Sequence, residues 1–172
     1  AEALGMVQTG KMTMEECDRL TTVCAPSAGG GQFYGTANTM CCITEALGMC
    51  LPGSAAIPAA HSERLRAAVR TGQQIMELVN QKLTTRKLIT RDSLENAVIY
   101  ALATGASTNA VIHLCALANE VGIPSQFIIE TFERYAEQIP LLAAIYPASA
   151  KYDMEDYYRA GGVHAVLKQL KS

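Results

Sequence analysis

The sequence has 172 residues, of which 49% are hydrophobic and 17% charged, and its formal net charge is -2. This composition is typical of a folded domain with a core rather than of a disordered chain. The sequence contains neither a basic stretch nor an apolar run approaching the roughly 18 residues of a membrane-spanning helix. We therefore expect no nucleic-acid partner and no membrane partner.

The start of the sequence and its cysteines bear on where the protein works. The chain begins at Ala1 and passes at once into apolar, helix-like residues, so we expect an interior piece of a longer protein. Since no CxxC pair or zinc-type spacing is present, we predict reduced thiols in a cytoplasmic protein, each most simply a small core residue. The six cysteines are at positions 17, 24, 41, 42, 50 and 115.

The first segments in chain order are predicted to be two helices joined by a loop. A capping box formed by Thr13 and Glu16 begins a helix that runs to about Val23. The Gly-, Ser- and Pro-rich stretch 24–35 must be a loop. A second helix follows from position 36, and glycine or proline ends it.

A long amphipathic helix is predicted after a further loop over 51–60. Ser62 is expected to cap it, and its polar side carries Arg66, Arg70 and Glu77. Its apolar face comprises Leu65, Val69, Gly72, Ile75, Met76 and Val79.

The second half of the chain is predicted to be helical over 92–105, 107–121 and 125–136. A last helix over 154–170 is broken by its paired glycines. The apolar segment 140–146 is the one plausible strand. We therefore expect an α-rich α/β fold with few strands, forming a single domain over 1–172.

A glycine-rich loop that enters a helix is the first candidate site. Residues 29–35 run into the helix that Thr36 opens, and a helix start exposes backbone N–H groups and partial positive charge. Such a start binds anions, and Asn38 could add hydrogen bonds. The spacing matches neither a P-loop nor a dinucleotide fingerprint, so a phosphate-binding module rests on the glycines alone. The alternative is a tight loop in which Thr36 merely caps a core helix.

A second helix start, at Ser107, Thr108 and Asn109, has the same character. Thr108 and Asn109 lie in its first turn, where they could contact a ligand or simply face solvent. Ser107 could serve only as the N-cap. His113, further along this helix, is most simply a hydrogen-bonded core residue.

Several segments, in order and over nearly the whole chain, resemble one enzyme family. Residues 35–40 (GTANTM), 45–49 (EALGM) and 51–59 (LPGSAAIPA) resemble the dihydroxy-acid dehydratase and phosphogluconate dehydratase family. Residues 62–66 (SERLR) and 105–114 (GASTNAVIHL) are most similar to its sugar-acid branch, which includes xylonate and arabinonate dehydratases. Residues 154–167 resemble the end of the family's N-terminal domain.

The resemblance implies a hydro-lyase that converts 2,3-dihydroxy acids or sugar acids to 2-keto acids. In the family, an iron–sulfur cluster acts as Lewis acid on the leaving hydroxyl, magnesium binds the substrate carboxylate, and a serine removes the C2 proton. The family's Cys-Asp-Lys segment and its C-terminal β-barrel domain, which carries the serine, are not among these 172 residues. We therefore expect a central fragment that is inactive and binds neither cofactor alone, from a protein that forms homo-oligomers.

One position departs from the family pattern. The resemblance places a cluster cysteine five residues before Thr36, where this sequence has Gly31. Cys24 resembles a different family cysteine and is a weak substitute ligand. The alternative to an enzyme fragment is therefore a non-catalytic relative, used for binding or oligomerisation, that has lost its cluster.

The site prediction follows from the two helix starts. No residue of this chain is expected to be catalytic or to bind a metal. The residues predicted to line the side of the site that faces a carboxylate substrate are Thr36, Asn38, Ser107, Thr108 and Asn109.

Overall fold

A computed structural model describes residues 2–24 and 29–171. In these ranges the chain forms ten α-helices and no β-strand. The helices are α1 (Glu2–Gln8), α2 (Met14–Val23), α3 (Thr36–Ala46), α4 (Ser62–Asn80), α5 (Thr85–Leu88), α6 (Arg91–Ala103), α7 (Asn109–Glu120), α8 (Ser125–Tyr135), α9 (Met154–Arg159) and α10 (Gly162–Leu170).

The predicted α-rich α/β fold is wrong, because the described residues form no sheet. The segment 140–146, predicted as a strand, has no strand beside it. The N–H groups of Leu142 and Ala143 both donate to Ala103 O, at 2.8 and 3.1 Å, and Tyr146 N–H donates to Tyr152 O at 2.7 Å. A helix end and a nearby turn thus satisfy these groups without a β-ladder.

Helix α6 lies at the centre of the core. It packs against α3, α7, α8 and α10, and α7 packs in turn against α8. Because neighbours cover α6 on several sides, its buried residues are spread around the helix rather than confined to one stripe. They are Leu94, Ala97, Val98, Tyr100, Ala101 and Ala103.

Three tyrosine hydroxyls meet inside this core. Tyr100 and Tyr157 share a hydrogen bond of 2.6 Å between their hydroxyls, and Tyr34 donates to Tyr100 at 3.4 Å. Tyr34 is also 3.1 Å from the Thr104 hydroxyl. Burial raises the pKa of all three phenols, so they remain neutral donors and acceptors. Each of these buried hydroxyls therefore has a hydrogen-bond partner within the core.

The predicted helix starts are confirmed at Thr13, Thr36 and Met154, and two others are shifted by one residue. Thr13 accepts from the Glu16 N–H at 3.2 Å, and Glu16 accepts from the Thr13 N–H at 2.8 Å. Helix α4 begins at Ser62 itself, so Ser62 is not its cap. Helix α6 begins one residue before the predicted Asp92, because Thr90 forms a capping box with Ser93.

All six cysteines are free thiols, but only two are buried, namely Cys17 and Cys42. The prediction that each is a core residue is therefore wrong for the exposed Cys24 and Cys41. In the described part of the chain, no helix combines the length and the apolar character needed to cross a membrane.

Cys42 should resist alkylation in the native state. Burial, with smaller contributions from Cys41 and Glu45, raises the pKa of the Cys42 thiol to about 12. At pH 8 only about one Cys42 in ten thousand is then a thiolate, the reactive form. With iodoacetamide at pH 8, followed by peptide mass spectrometry, Cys24 and Cys41 should be modified well before Cys42. Equal rates would contradict this account of the core.

Candidate functional site

The two predicted helix starts lie together. The Thr36 and Ser107 hydroxyl oxygens are 3.0 Å apart, and Asn109 Nδ2 donates to Thr36 Oγ1 at 2.7 Å. The Ser107 N–H donates to the buried Thr39 hydroxyl at 3.1 Å. The first turn of α3 and the start of α7 thus form one hydrogen-bonded surface.

The start of α3 leaves its N–H groups without a capping side chain. Its N-cap is Gly35, in extended conformation, which has no side chain to accept a hydrogen bond. The first N–H groups of a helix have no partner within the helix, and the helix dipole adds partial positive charge there. The N–H groups at this start are thus not capped by a side chain, and the anion site predicted here stays a prediction.

The start of α7 differs from the prediction in its boundary. Helix α7 begins at Asn109 with Thr108 as N-cap, so Ser107 is not the N-cap. Ser107 instead joins the two helices and accepts from the Asn109 N–H at 3.4 Å. Thr36 and Ser107 are half-buried, whereas Thr108 and Asn109 are exposed. The polar groups of this surface are consequently open to a ligand on one side.

The Asn38 side chain hydrogen-bonds to the glycine-rich loop, whereas the sequence pattern placed it on the ligand side of the site. Its side-chain Nδ2 donates to the carbonyls of Gly31 at 3.0 Å and Phe33 at 2.8 Å, and to that of Gly30 at 3.4 Å. A Cβ atom at Gly30 would overlap Asn38 Oδ1, so only glycine permits this approach. Asn38 therefore holds the glycine-rich loop over the start of α3.

Replacing Asn38 with alanine should loosen this loop. The variant loses donors to three carbonyls, and we expect its free energy of unfolding to fall by about 1–2 kcal/mol. Urea unfolding followed by circular dichroism measures the change. Asn119→Ala, an exposed residue in α7, is the matched control and should be nearly neutral. Equal stability of the two variants would show that the Asn38 contacts do not stabilise the loop.

The chemistry available at this surface is binding rather than proton transfer. Thr36, Ser107 and Thr108 supply hydroxyls, and Asn109 supplies an amide, and none of these groups titrates near neutral pH. Donors of this kind, beside a positive helix end, can hold a carboxylate. A hydroxyl becomes a base or nucleophile only when a neighbouring group takes its proton, and none of these four side chains can do so.

Gly31 does not fit the role of a cluster ligand. It has no thiol, and its φ of +80° places it in the left-handed region, where any other L-residue costs about 1 kcal/mol. Cys24 is exposed, and its Sγ lies 3.7 Å from Thr21 O. Residues 25–28, between Cys24 and the loop, lie outside the described part of the chain. The substitute role of Cys24 therefore stays a prediction.

The donor sets needed by an iron–sulfur cluster or magnesium are not assembled here. Across 2–24 and 29–171, no group of three or more His, Cys, Asp or Glu residues is placed to hold a metal ion. The residues present therefore do not fit either cofactor. His113, predicted to be a core residue, is exposed, so that interpretation was wrong.

Sequence reasoning missed two charged side chains, Glu45 at the C-terminal end of α3 and Arg64, that bond to the loop at 53–57. The buried Glu45 accepts from the N–H groups of Gly53 and Ala55, both at 2.8 Å. Arg64 donates to the carbonyls of Ser54, Ala55 and Ile57. The signal in the sequence was Glu45, the one charged residue in the apolar stretch 40–49. An acid among apolar residues is rarely buried without a partner.

A helical domain in which two helix starts meet at one polar, hydrogen-bonded surface is the class that fold and site define. The whole chain, residues 1–172, matches the family described as dihydroxy-acid/6-phosphogluconate dehydratase N-terminal. The protein belongs to this family, as its motifs indicated.

Curated relatives agree with this assignment. The chain is 46% identical over 171 residues to a dihydroxy-acid dehydratase of Methanospirillum hungatei, covering 99% of this chain and 31% of that protein. It is 45% identical over 170 residues to one of Thermodesulfovibrio yellowstonii, covering 99% and 30%. For one of Pyrococcus furiosus the identity is 41% over 169 residues, covering 98% and 30%. The chain thus spans less than a third of the length of these relatives.

Proposed function

We propose that this chain is part of a hydro-lyase that dehydrates 2,3-dihydroxy acids to 2-keto acids. Within that enzyme, Thr36, Ser107, Thr108 and Asn109 form the wall that binds the substrate carboxylate. The observation that carries the proposal is the hydrogen-bonded meeting of the α3 and α7 starts. It occurs in a chain that belongs to a dehydratase family.

Each residue of this wall has a separate task in the proposal. Asn109 Nδ2 has two hydrogens, of which one is donated to Thr36, so the second can reach a carboxylate oxygen. The exposed Thr108 hydroxyl adds a donor, and the first N–H groups of α3 add positive potential. Asn38 acts through the glycine-rich loop, which it holds in place. Together these groups orient an acid without taking part in proton transfer.

The iron–sulfur cluster and magnesium implied by the family resemblance would need ligands from outside this chain. We therefore propose that the chain alone is inactive and that the remainder of a longer protein supplies the chemistry. A cytoplasmic location also remains a prediction. In this division, Thr36 and residues 107–109 bind the substrate, and the bond-breaking groups come from outside this chain.

The substrate class has a first and a second candidate. The relatives named dihydroxy-acid dehydratase favour a short 2,3-dihydroxy acid. Sugar acids are the second candidate, because residues 62–66 and 105–114 are similar to the sugar-acid branch. Both carry the same carboxylate and 2-hydroxyl, so the wall described here would serve either of them.

A non-catalytic relative is the alternative function. The observation that favours it is the glycine at position 31, whose left-handed backbone suits no cysteine. Such a protein would keep the carboxylate-binding surface and serve in binding or oligomerisation. It would not release a 2-keto acid.

An assay of the full-length protein that contains this chain separates these possibilities. It would be purified without oxygen, analysed for iron and sulfide, and supplied with magnesium and either a branched 2,3-dihydroxy acid or a five-carbon sugar acid. Formation of 2-keto acid, followed by NMR, is the expected result, and the faster substrate fixes the class. No product from either acid, with little bound iron, would overturn the proposal in favour of the non-catalytic relative.

A further inference from the structure

A buried threonine connects the two helix starts from beneath the surface. Thr39 is the fourth residue of α3, and its side chain is fully excluded from solvent. Its hydroxyl accepts a hydrogen bond from the Ser107 N–H at 3.1 Å, across 68 positions of the chain. The Ser107 hydroxyl in turn lies 3.0 Å from Thr36 Oγ1. The Thr39 contact therefore fixes the backbone from which Ser107 reaches the start of α3.

The turn between α6 and α7 is held at a second buried point. Tyr34, just before α3, has its hydroxyl 3.1 Å from that of Thr104, where α6 ends. Burial raises the pKa of Tyr34, whereas a hydrogen bond from Thr39 lowers it, so Thr39 also lies against this phenol. Thr104 precedes Ser107 by three residues. Residues at and just before the start of α3 thus hold both ends of the short segment that leads into α7.

The hydrogen bond of Thr39 differs in kind from that of another buried helical threonine. Thr131 is equally buried in α8, and its hydroxyl donates to Phe127 O, four residues earlier, at 2.6 Å. That bond stays within one helix, as is common for threonine. The Thr39 hydroxyl instead accepts from the segment that begins α7. Because a valine would fill nearly the same volume, what the Thr39 hydroxyl adds to packing is the link to Ser107.

We propose that Thr39 is a positioning residue for the carboxylate-binding wall, because its buried hydroxyl sets the place of Ser107 and so the spacing of the α3 and α7 starts. This inference rests on the proposed function, since it specifies how that wall is held in place. Thr39 is buried, so it touches no substrate and acts only through Ser107. Loss of the hydroxyl removes the acceptor of the Ser107 N–H and lets the α7 start shift relative to Thr36.

Isothermal titration of the 2-keto acid into the full-length protein tests this role with two variants of Thr39. Thr39→Val removes the hydroxyl and should weaken binding about five- to tenfold. Thr39→Ser keeps the hydroxyl and loses a buried methyl group, so its affinity should stay within about twofold of wild type although its packing is poorer. A residue that only stabilised the fold would leave the affinity unchanged in both folded variants. Thr131→Val, the same change at an equally buried position, is the matched control and should bind as wild type.

Amide hydrogen exchange of the same proteins tests the geometry without a ligand. Peptides covering 104–110, followed by mass spectrometry, should exchange faster in Thr39→Val than in wild type or Thr39→Ser, because the Ser107 N–H has lost its acceptor. Unchanged exchange or wild-type affinity in Thr39→Val would overturn the positioning role, and so would a large loss of affinity in Thr39→Ser.

The Thr36→Val variant separates this role from the proposed function. Thr36 belongs to the wall itself, so its variant should bind the 2-keto acid more weakly whatever Thr39 does. A loss of affinity confined to Thr36→Val would overturn the positioning role of Thr39 and leave the wall in place. Wild-type affinity in both Thr36→Val and Thr39→Val would instead overturn the proposed wall.

Discussion

Replacing Glu45 with alanine is expected to lower the free energy of unfolding by about 3 kcal/mol, from loss of two charge-assisted hydrogen bonds. The buried carboxylate accepts from the N–H groups of Gly53 and Ala55, both at 2.8 Å. Without it, both amides lose their acceptor, and the Ala55 amide does so where burial limits access to water. Arg64, bonded to carbonyls of the same loop, would then hold the loop by one side alone.

Two further variants separate the hydrogen bonds from general effects of charge. Glu45→Gln keeps one carbonyl acceptor and should lose about half as much stability, roughly 1–2 kcal/mol. Glu133→Ala removes an exposed acid from α8 and should change stability by less than about 0.5 kcal/mol. Urea unfolding of all three measures the series. If Glu45→Ala and Glu133→Ala had the same free energy of unfolding, the hydrogen bonds from Glu45 to the loop would not stabilise the fold.

The Asn109→Asp variant of the full-length enzyme is expected to lower kcat/KM for the dihydroxy acid by about 10- to 100-fold, because hydrogen bonds to charged groups contribute about 1.5–3 kcal/mol. The change replaces an amide donor with a carboxylate at the place proposed for the substrate carboxylate. Like charges repel there, and Thr36 loses its amide partner. Most of the effect should appear in KM, since Asn109 binds the acid and transfers no proton.

Asn119→Asp provides the matched control at the other end of the same helix. It makes the same chemical change on an exposed position of α7, more than two helical turns from the α7 start. Its kcat/KM should stay within a factor of about two of wild type. The Asn109→Asp defect should shrink at high ionic strength, because screening weakens repulsion between exposed charges. A defect in kcat alone, or equal effects at both positions, would contradict the proposed role.

Local signals predicted much of the fold. The capping box at Thr13 and Glu16 is present, since its two partners lie three positions apart in one turn and need no other contact. The break in the last helix falls at Gly161 and Gly162, as their sequence suggested. The adjacency of Thr36 to Ser107 was predicted too, although this came from considering both helix starts as one site. Short-range chemistry suffices for the capping box and the helix break, whereas Thr36 and Ser107 are 71 positions apart in the chain.

Features that depend on distant neighbours were not predictable in the same way. The segment 140–146 has the apolar residues of a strand, but a strand forms only where another strand is available to pair with it. The exposed apolar side of α4 shows the same limit, because periodicity identifies such a side without showing what covers it. Asn38 was assigned to the ligand side from its position in the first turn. Its side chain instead follows the glycine loop, a direction that only the packed structure defines.

The central claim is that the joined starts of α3 and α7 bind the carboxylate of an acid. Isothermal titration of the 2-keto acid into the full-length protein and its Thr36→Val variant tests it most directly, with Thr22→Val, an exposed threonine of α2, as control. We predict that Thr36→Val weakens binding at least about tenfold, because a hydroxyl bonded to both Ser107 and Asn109 is replaced by a methyl group. Unchanged affinity in Thr36→Val, with wild-type stability, would contradict the claim.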